Sequence, residues 1–348
     1  MPGIRRKLGS IARTIHGRVR PRPLVLCYHR VAELERDPQL LAVHPERFDR
    51  HMEILSRQTT AVPLHALVPM SSENPASGRA VAVTFDDGYA DNLETAKPIL
   101  ERHGIPATVF VVAGMVGSRE EFWWDELERL LLCVAPPFQT LGLAIGGRAL
   151  EWNWTRGGME GTDPGSHDGW TIVDPHDPSP AHGLYRELVA RIRVASPDDQ
   201  TAAIAALRSW VGSDGVGRST HRVMGFDDLE RLADGGLVSV GSHGLRHLRF
   251  ANLTPADRRH QMTESRRLLE EITGGTVDEF AYPFGAPIDL PEDDSTELRA
   301  AGYRLACANF EATVGPGTNR FRLPRFLVRD WSREEFAHRL GQWFGHHE

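Results

Sequence analysis

The sequence predicts an α/β fold, a distorted, seven-stranded (β/α) barrel with a long insertion after its third strand. Three observations point there. Seven short apolar runs of strand length are rich in β-branched residues; amphipathic helical patterns separate most of them; and the residues able to do chemistry gather where the runs end. Strands that alternate with helices are parallel strands joined by crossovers. The runs are Leu24–Tyr28, Val81–Phe85, Thr108–Val112, Val238–Gly241, Glu279–Tyr282, Arg304–Asn309 and Arg322–Val328.

The helices follow from spacing and end signals. Pro45–Arg57 carries Phe48, Met52 and Leu55 on one face, and Asp91–His103 stops at Gly104 with Pro106 beyond it. Thr254–Ile272 opens on Thr254 and Pro255 as cap and first turn and closes at Gly274-Gly275; Ser295–Ala301 closes at Gly302. The interval from Met115 to Arg222 breaks the rhythm. It reads as an apolar helix (Phe122–Leu132), a hairpin over Leu141–Trp154 turning at Gly146-Gly147, a loop over 155–182 dense in Gly, Pro, Asp and His, and helices over Leu184–Val194 and Asp198–Trp210. The expected division is a basic amphipathic segment over 1–22, a barrel over 23–114 and 223–348, and an insertion or lid over 115–222.

Composition narrows the class. The chain has 348 residues, 41% hydrophobic and 25% charged, which is ordinary for a globular protein with a real core. A net charge of -7 argues against a nucleic-acid partner. Cys27, Cys133 and Cys307 are odd in number and far apart, which argues against a disulfide framework and for a reducing compartment. No apolar run is long enough to cross a bilayer, and the N-terminus lacks the apolar core of a secretory signal. The expected location is therefore cytoplasmic. Arg5, Arg6, Lys7, Arg13, Arg18, Arg20 and Arg22 have no acidic company, and Ile4, Leu8, Ile11 and Ile15 recur at helical spacing. Such a segment suits peripheral contact of residues 1–20 with the inner membrane face.

In α/β barrels the chemistry lies at the C-terminal ends of the strands. His29 follows the first run, Asp86-Asp87-Gly88-Tyr89 the second, His243 and His247 the fourth and Pro283-Phe284-Gly285 the fifth, while Arg325 lies late in the seventh. Adjacent carboxylates repel, and a cation on one of them relieves that. Two histidines four residues apart share a face if they sit on a helical turn. One carboxylate with two imidazoles is a common facial set for a divalent metal, which leaves the other carboxylate free as a base. Trp123, Trp124, Trp152, Trp154 and Trp170 give the insertion aromatic surfaces that suit sugar rings, although Phe122-Trp123-Trp124 reads better as an anchor to the barrel. His167, His176, His182 and His346-His347 are not expected to be ligands.

These residues resemble the polysaccharide deacetylase family, the NodB-homology or carbohydrate esterase family 4 group, and most of all its branch that begins with a Tyr-His strand. Thr84–Gly88 matches the first motif, Thr-Phe-Asp-Asp-Gly, in full. His243 and His247 match the second, His-(Ser/Thr)-x-x-His, with Gly244 in place of the hydroxyl residue. Pro283-Phe284 matches the end of the third, Arg-x-Pro-Tyr, with Ala281 where Arg is expected. The resemblance covers about residues 20–330 apart from the insertion. It implies that Asp87, His243 and His247 hold Zn²⁺, with Co²⁺, Ni²⁺ or Mn²⁺ as alternatives, to polarise an acetamide carbonyl and activate water. It makes Asp86 the base and the Phe284 backbone N–H an oxyanion donor. Pro283 and Tyr89 complete the expected substrate-facing set. In the family the third-motif Arg orients the catalytic Asp; here Arg325 is expected to replace it. The family's late Leu-x-His motif has no counterpart near Arg322–Arg325, and His29 is expected to act as general acid, an ordinary imidazole titrating near neutrality.

The function so predicted is metal-dependent removal of N-acetyl groups from an amino sugar or glycan precursor, with release of acetate. An inactive glycan-binding relative is one alternative. A barrel glycosidase is the other, disfavoured because adjacent carboxylates cannot easily flank a glycosidic bond.

Overall fold

The computed structural model describes residues 21–68, 76–133, 140–153 and 167–345; the basic segment up to residue 20, Trp154 and His346-His347 lie outside them. The main sheet contains β1 (Leu24–Tyr28), β2 (Ala80–Phe85), β3 (Ala107–Val111), β4 (Val238–Ser242), β5 (Glu279–Ala281), β6 (Leu305–Cys307) and β7 (Phe326–Leu327). Their spatial order is β6-β5-β4-β3-β2-β1-β7, and a further short strand, Thr60–Ala61, pairs with the start of β2. Every pairing in this sheet is parallel. Residues of β1, β2 and β3 are buried on both faces, which is why they read as unbroken apolar runs rather than alternating ones.

The seventh predicted run is not one strand. Leu323 N–H donates to Ala306 O at 2.8 Å, Ala308 N–H donates to Leu323 O at 2.8 Å, and Val328 N–H donates to Cys27 O at 2.9 Å. One short segment thus touches β6 first and β1 next, bridging the two edges of the curled sheet. Pro324, which has no N–H and restricts Leu323 before it, sits where the ladder changes partner.

The helices are α1 (Pro45–Gln58), α2 (Lys97–His103), α3 (Trp123–Glu128), α4 (Pro180–Ile192), α5 (Pro197–Val211), α6 (Phe226–Ala233), α7 (Pro255–Thr273), α8 (Ser295–Ala300) and α9 (Arg333–Trp343). The expected helix over Asp91–His103 is divided: Asn92–Ala96 is a wider π-type turn, with Lys97 N–H on Asn92 O, and α2 starts after it. Pro98 has no N–H for the carbonyl four residues back, and the widened turn absorbs the mismatch. α7 starts as expected, with Thr254 Oγ1 accepting from Asp257 N–H at 3.2 Å, and ends at Gly274 in the left-handed region (φ 65°).

The insertion has apolar packing of its own. Leu127 and Leu130, the hairpin Thr140–Ile145 with Arg148–Asn153, and Leu184, Leu188, Ile192 and Leu207 of α4 and α5 share one cluster, distinct from the barrel's. Phe122 and Trp124 join Tyr89, Val112 and Val223 in a small cluster where insertion meets barrel. No helix among the described residues is long and apolar enough to cross a membrane.

Candidate active site

β2 delivers Asp86 and Asp87 to the rim. Asp86 N–H still donates to Tyr28 O at 3.0 Å, so it belongs to the sheet, whereas Asp87 turns at φ 74° and Gly88 N–H returns to Asp86 O at 3.0 Å. The same three-residue turn recurs after β5: Phe284 has φ 62°, and Gly285 N–H donates to Pro283 O at 2.7 Å. His247 has φ 50°. Non-glycine residues in this region cost about 1–3 kcal/mol each and gather where function holds them. Among the described residues Leu40 (φ 58°) is the other case, and its neighbours Gln39 and Leu41 line the same cavity.

That cavity, of about 310 Å³, is lined by His29, Asp86, Asp87, His243, His247 and Phe284, together with Trp123, Trp124, Arg193, Asn309 and Arg329. Tyr89 and Pro283 do not line it. Tyr89 is buried; its hydroxyl donates to Asp125 Oδ2 at 2.6 Å and accepts from Trp124 Nε1 at 2.9 Å, so it braces the insertion rather than the cavity wall. Pro283 contributes through the turn it starts.

The two histidines do not lie on a helical turn. They flank a bend whose direction comes from Gly244 (φ 78°) and from Gln261 Oε1, which accepts the N–H groups of Leu245 and Arg246 at 3.1 and 3.0 Å. His243 Nδ1 lies 2.8 Å from Ala281 O; a carbonyl can only accept, so this nitrogen carries the proton and Nε2 keeps its lone pair. His243 Nε2 and His247 Nε2 lie 3.6 and 3.4 Å from Asp87 Oδ1. One donor atom from each of the three residues falls within 4.8 Å of the others.

Among the described residues, no Lys or Arg pairs with this cluster. Asp87 Oδ1 is buried with no hydrogen-bond partner. Burial, then Asp86 and Asp125, push the Asp87 carboxyl well above its ordinary range. Burial lowers both imidazoles, His247 the more because His243 adjoins it. Two neutral imidazoles and a carboxylate that lacks a cation are the donor set a divalent ion satisfies, and the residues therefore fit one.

Asp86 is compensated. Arg325, fully buried, lays its fork on the carboxylate, NH1 on Oδ1 and NH2 on Oδ2, both at 2.7 Å. Burial would raise Asp86; Arg325 and His243 reverse that and hold it well below the usual carboxylate range. Arg325 Nε donates to Asn309 Oδ1 at 3.0 Å, and Asn309 Nδ2 donates to Phe284 O at 2.8 Å. The carboxylate, the closing segment and the Phe284 turn thus form one network.

His29 lines the cavity, with a ring nitrogen, Cys27 Sγ and an Asp86 oxygen within 4.8 Å of one another. It does not titrate as an ordinary imidazole. Burial pushes it down to about 3, against the pull of Asp86 and with Arg329 and Arg325 adding to the depression. His29 is neutral at pH 7. His167 and His182 pair with each other inside the insertion, ring centroids 5.8 Å apart, and line no part of this cavity.

Several residues of this site carried no expectation. Asn309 stands at the end of the sixth predicted run, and the strand-end rule that flagged the others applies to it equally. Cys27, at the end of β1, is buried and donates to Asp86 Oδ2 at 3.5 Å. Arg193 and Arg329 have no local pattern that announces them.

The family profile for polysaccharide deacetylase matches residues 73–132 and 199–306. The Bacillus subtilis (strain 168) protein YxkH, named for that family, is 28% identical over 108 residues, a stretch covering 30% of this chain and 37% of YxkH. Among solved structures, the Streptococcus pyogenes deacetylase PplD in complex with acetate aligns with a TM-score of 0.54 at 14% identity, over 92% of this chain and 98% of that one. IcaB from Ammonifex degensii aligns with a TM-score of 0.54 at 18% identity, over 92% and 97%. At such identities the likeness to solved structures is one of fold. Taken with the profile match, it places the chain in the polysaccharide deacetylase family.

Proposed function

We propose that this protein is a divalent-metal-dependent carbohydrate N-deacetylase that hydrolyses the acetamide of an amino sugar to acetate and a free amine. The observation that carries the reading is the buried, unpartnered Asp87 Oδ1 facing His243 Nε2 and His247 Nε2. Asp87, His243 and His247 would hold the ion, Zn²⁺ being the best match to one carboxylate and two imidazoles. When bound, such an ion supplies Lewis acidity to the acetamide carbonyl and makes water a better nucleophile at neutral pH.

The remaining work belongs to side chains. Arg325 keeps Asp86 ionised throughout the neutral range, so the carboxylate is always ready to accept a proton from water. The same ion pair makes it a weak base that passes the proton on readily. His29, neutral and beside Asp86, is vacant to receive that proton and deliver it to the departing nitrogen. The Phe284 turn, fixed through Asn309, brings a backbone N–H toward the carbonyl oxygen as it gains charge. Trp123 and Trp124 offer apolar faces to the sugar.

The test is metal analysis of the purified protein alongside acetate release from a panel of N-acetylated sugars. About one equivalent of bound metal with chelator-sensitive release supports the reading. Release that survives exhaustive chelation overturns it in favour of carboxylate chemistry, and bound metal with no release from any substrate favours a binding protein.

A further inference from the structure

Two guanidinium groups line the cavity without a role in the reaction just described. Arg329, on the segment after β7, adjoins His29, and its NH1 donates to the carbonyls of Leu40 and, at 3.4 Å, Gln39. It makes no ion pair among the described residues. The Asp37 carboxylate, close enough to act on it electrostatically, is taken up by the N–H groups of Leu41 and Ala42 at 2.9 and 2.8 Å. Arg193, just beyond α4, sits over the Phe284 ring at 4.8 Å from its centroid. Its NH2 meets Asp289 Oδ2 at 2.5 Å, but Asp289 also accepts from Arg249 Nε at 2.7 Å, so one carboxylate serves two cations. Arg193 Nε is buried with no hydrogen-bond partner.

Among the described residues that line the cavity, no carboxylate is left to pair with Arg329, and Arg193 shares Asp289 with Arg249. Asp86 is neutralised by Arg325, and Asp87 faces the two histidines. Holding an unpaired guanidinium partly out of water is unfavourable, and burial does lower Arg329 from its ordinary value. A neutral N-acetylated sugar would leave Arg329 without a counter-charge, and Arg193 with only the carboxylate it shares with Arg249. A phosphate or carboxylate accepts from the planar fork in two places, the geometry for which Arg is better suited than Lys.

We propose that the cavity selects N-acetylated amino sugars bearing an anionic substituent, a phosphate ester or a carboxylate, with Arg329 and Arg193 as the groups that receive it. This rests on the deacetylase reading above and names its substrate class. The alternative is that Arg329 only braces the Leu40 turn; Arg329→Gln separates the two, because an amide can still donate to a carbonyl but carries no charge.

The experiment measures kcat/KM for acetate release by the Zn²⁺-loaded full chain on three matched sugars: neutral N-acetylglucosamine glycoside, its phosphate ester and a carboxylate-bearing counterpart. The phosphate and carboxylate arms identify which anion is meant. The expected result is a preference of about tenfold or more for at least one anionic sugar, shrinking with ionic strength and falling toward unity in Arg329→Gln and Arg193→Gln. Equal kcat/KM for all three, or a preference untouched by both substitutions, overturns the inference and leaves deacetylation standing. If no sugar releases acetate, the deacetylase reading fails, and tryptophan fluorescence titration of the metal-free protein decides the anion site alone. Tighter binding of N-acetylglucosamine 6-phosphate than of N-acetylglucosamine, lost in Arg329→Gln, supports the site; equal binding overturns it.

Discussion

Replacing Arg325 with Met removes a charge from the most enclosed part of the site and leaves its partner behind. Asp86 and Arg325 are each 1% exposed, and their fork closes with two contacts of 2.7 Å. Breaking a buried pair by deleting one partner costs about 3–5 kcal/mol, most of it the penalty of an uncompensated buried charge. Arg325 also donates to Asn309 Oδ1 and to Ala308 O, at 3.0 and 3.3 Å, so the upper part of that range is expected. Asp86→Asn in the Arg325→Met background removes the orphaned charge and should restore part of the loss. A double-mutant cycle by urea denaturation is therefore expected to give a coupling of about 2–3 kcal/mol.

The same substitution has a kinetic signature. With Arg325 gone, burial acts on Asp86 without its main counter-charge, and its pKa rises. The acid limb of the kcat/KM profile for acetate release should move up by about 1–3 pH units. Arg325→Lys keeps the charge but lacks the fork, and should fall between wild type and Arg325→Met on both measures. A cycle coupling below about 0.5 kcal/mol together with an unmoved acid limb would refute the assignment of Arg325 as the positioning residue for Asp86.

Other predictions follow from the same geometry. Asp87→Asn and His243→Ala should each abolish stoichiometric Zn²⁺ binding by isothermal titration, and wild-type protein at a hundredfold excess over Kd should gain about 2.7 kcal/mol in chelator-reversible stability. Gly114→Ala touches no ligand, but its Cβ would stand 2.4 Å from Leu245 O, inside the bend between the two histidines; weaker metal binding with intact ligands is expected. His51, stacked on Phe336, is held down to about 4 by burial. Its folded pKa lies below the unfolded value of about 6.5, so its contribution of about 3 kcal/mol is fully present above pH 6.5 and is lost as pH falls toward 4. His51→Phe should flatten the dependence of Tm on pH across that window. Tyr89→Phe should lower stability by about 1–3 kcal/mol, by stranding Asp125 and Trp124, while KM for sugar stays constant.

What could be read beforehand was whatever depends on period and composition. Parallel strands buried on both faces announce themselves as apolar runs, and helices announce their ends through Thr254 or Gly274. The strand-end rule gathered Asp86, Asp87, His29, His243, His247 and Phe284 around one cavity. What could not be read was conformation set by single residues against propensity. His243 and His247 have helical spacing, but Gly244 and the Gln261 side chain bend the chain between them. Tyr89 adjoins the Asp-Asp-Gly turn, yet two buried partners on α3 draw it away from the cavity. The depressed His29 pKa comes from walls supplied by distant segments, which no local pattern records. Arg193 and Arg329 reach the cavity only because the insertion and the closing segment fold over it.

The departure of this chain from the family pattern is a relocation of charge with a structural consequence. At the position where the resemblance expects Arg there is Ala281, fully buried, whose carbonyl fixes the tautomer of His243. The cation on Asp86 arrives instead from the segment that bridges β6 to β1. Arg325 N–H also donates to Phe310 O at 3.2 Å, just after β6. Barrel closure, ionisation of Asp86 and the set of the Phe284 turn therefore pass through one side chain. The next residues of that segment, Leu327 and Arg329, face the cavity. A substitution that loosens closure, such as Pro324→Gly, should then disturb Asp86 and the cavity wall together. It should appear as a displaced acid limb in the pH profile before any loss of secondary structure; unfolding that preceded the kinetic change would mean that closure and chemistry are independent.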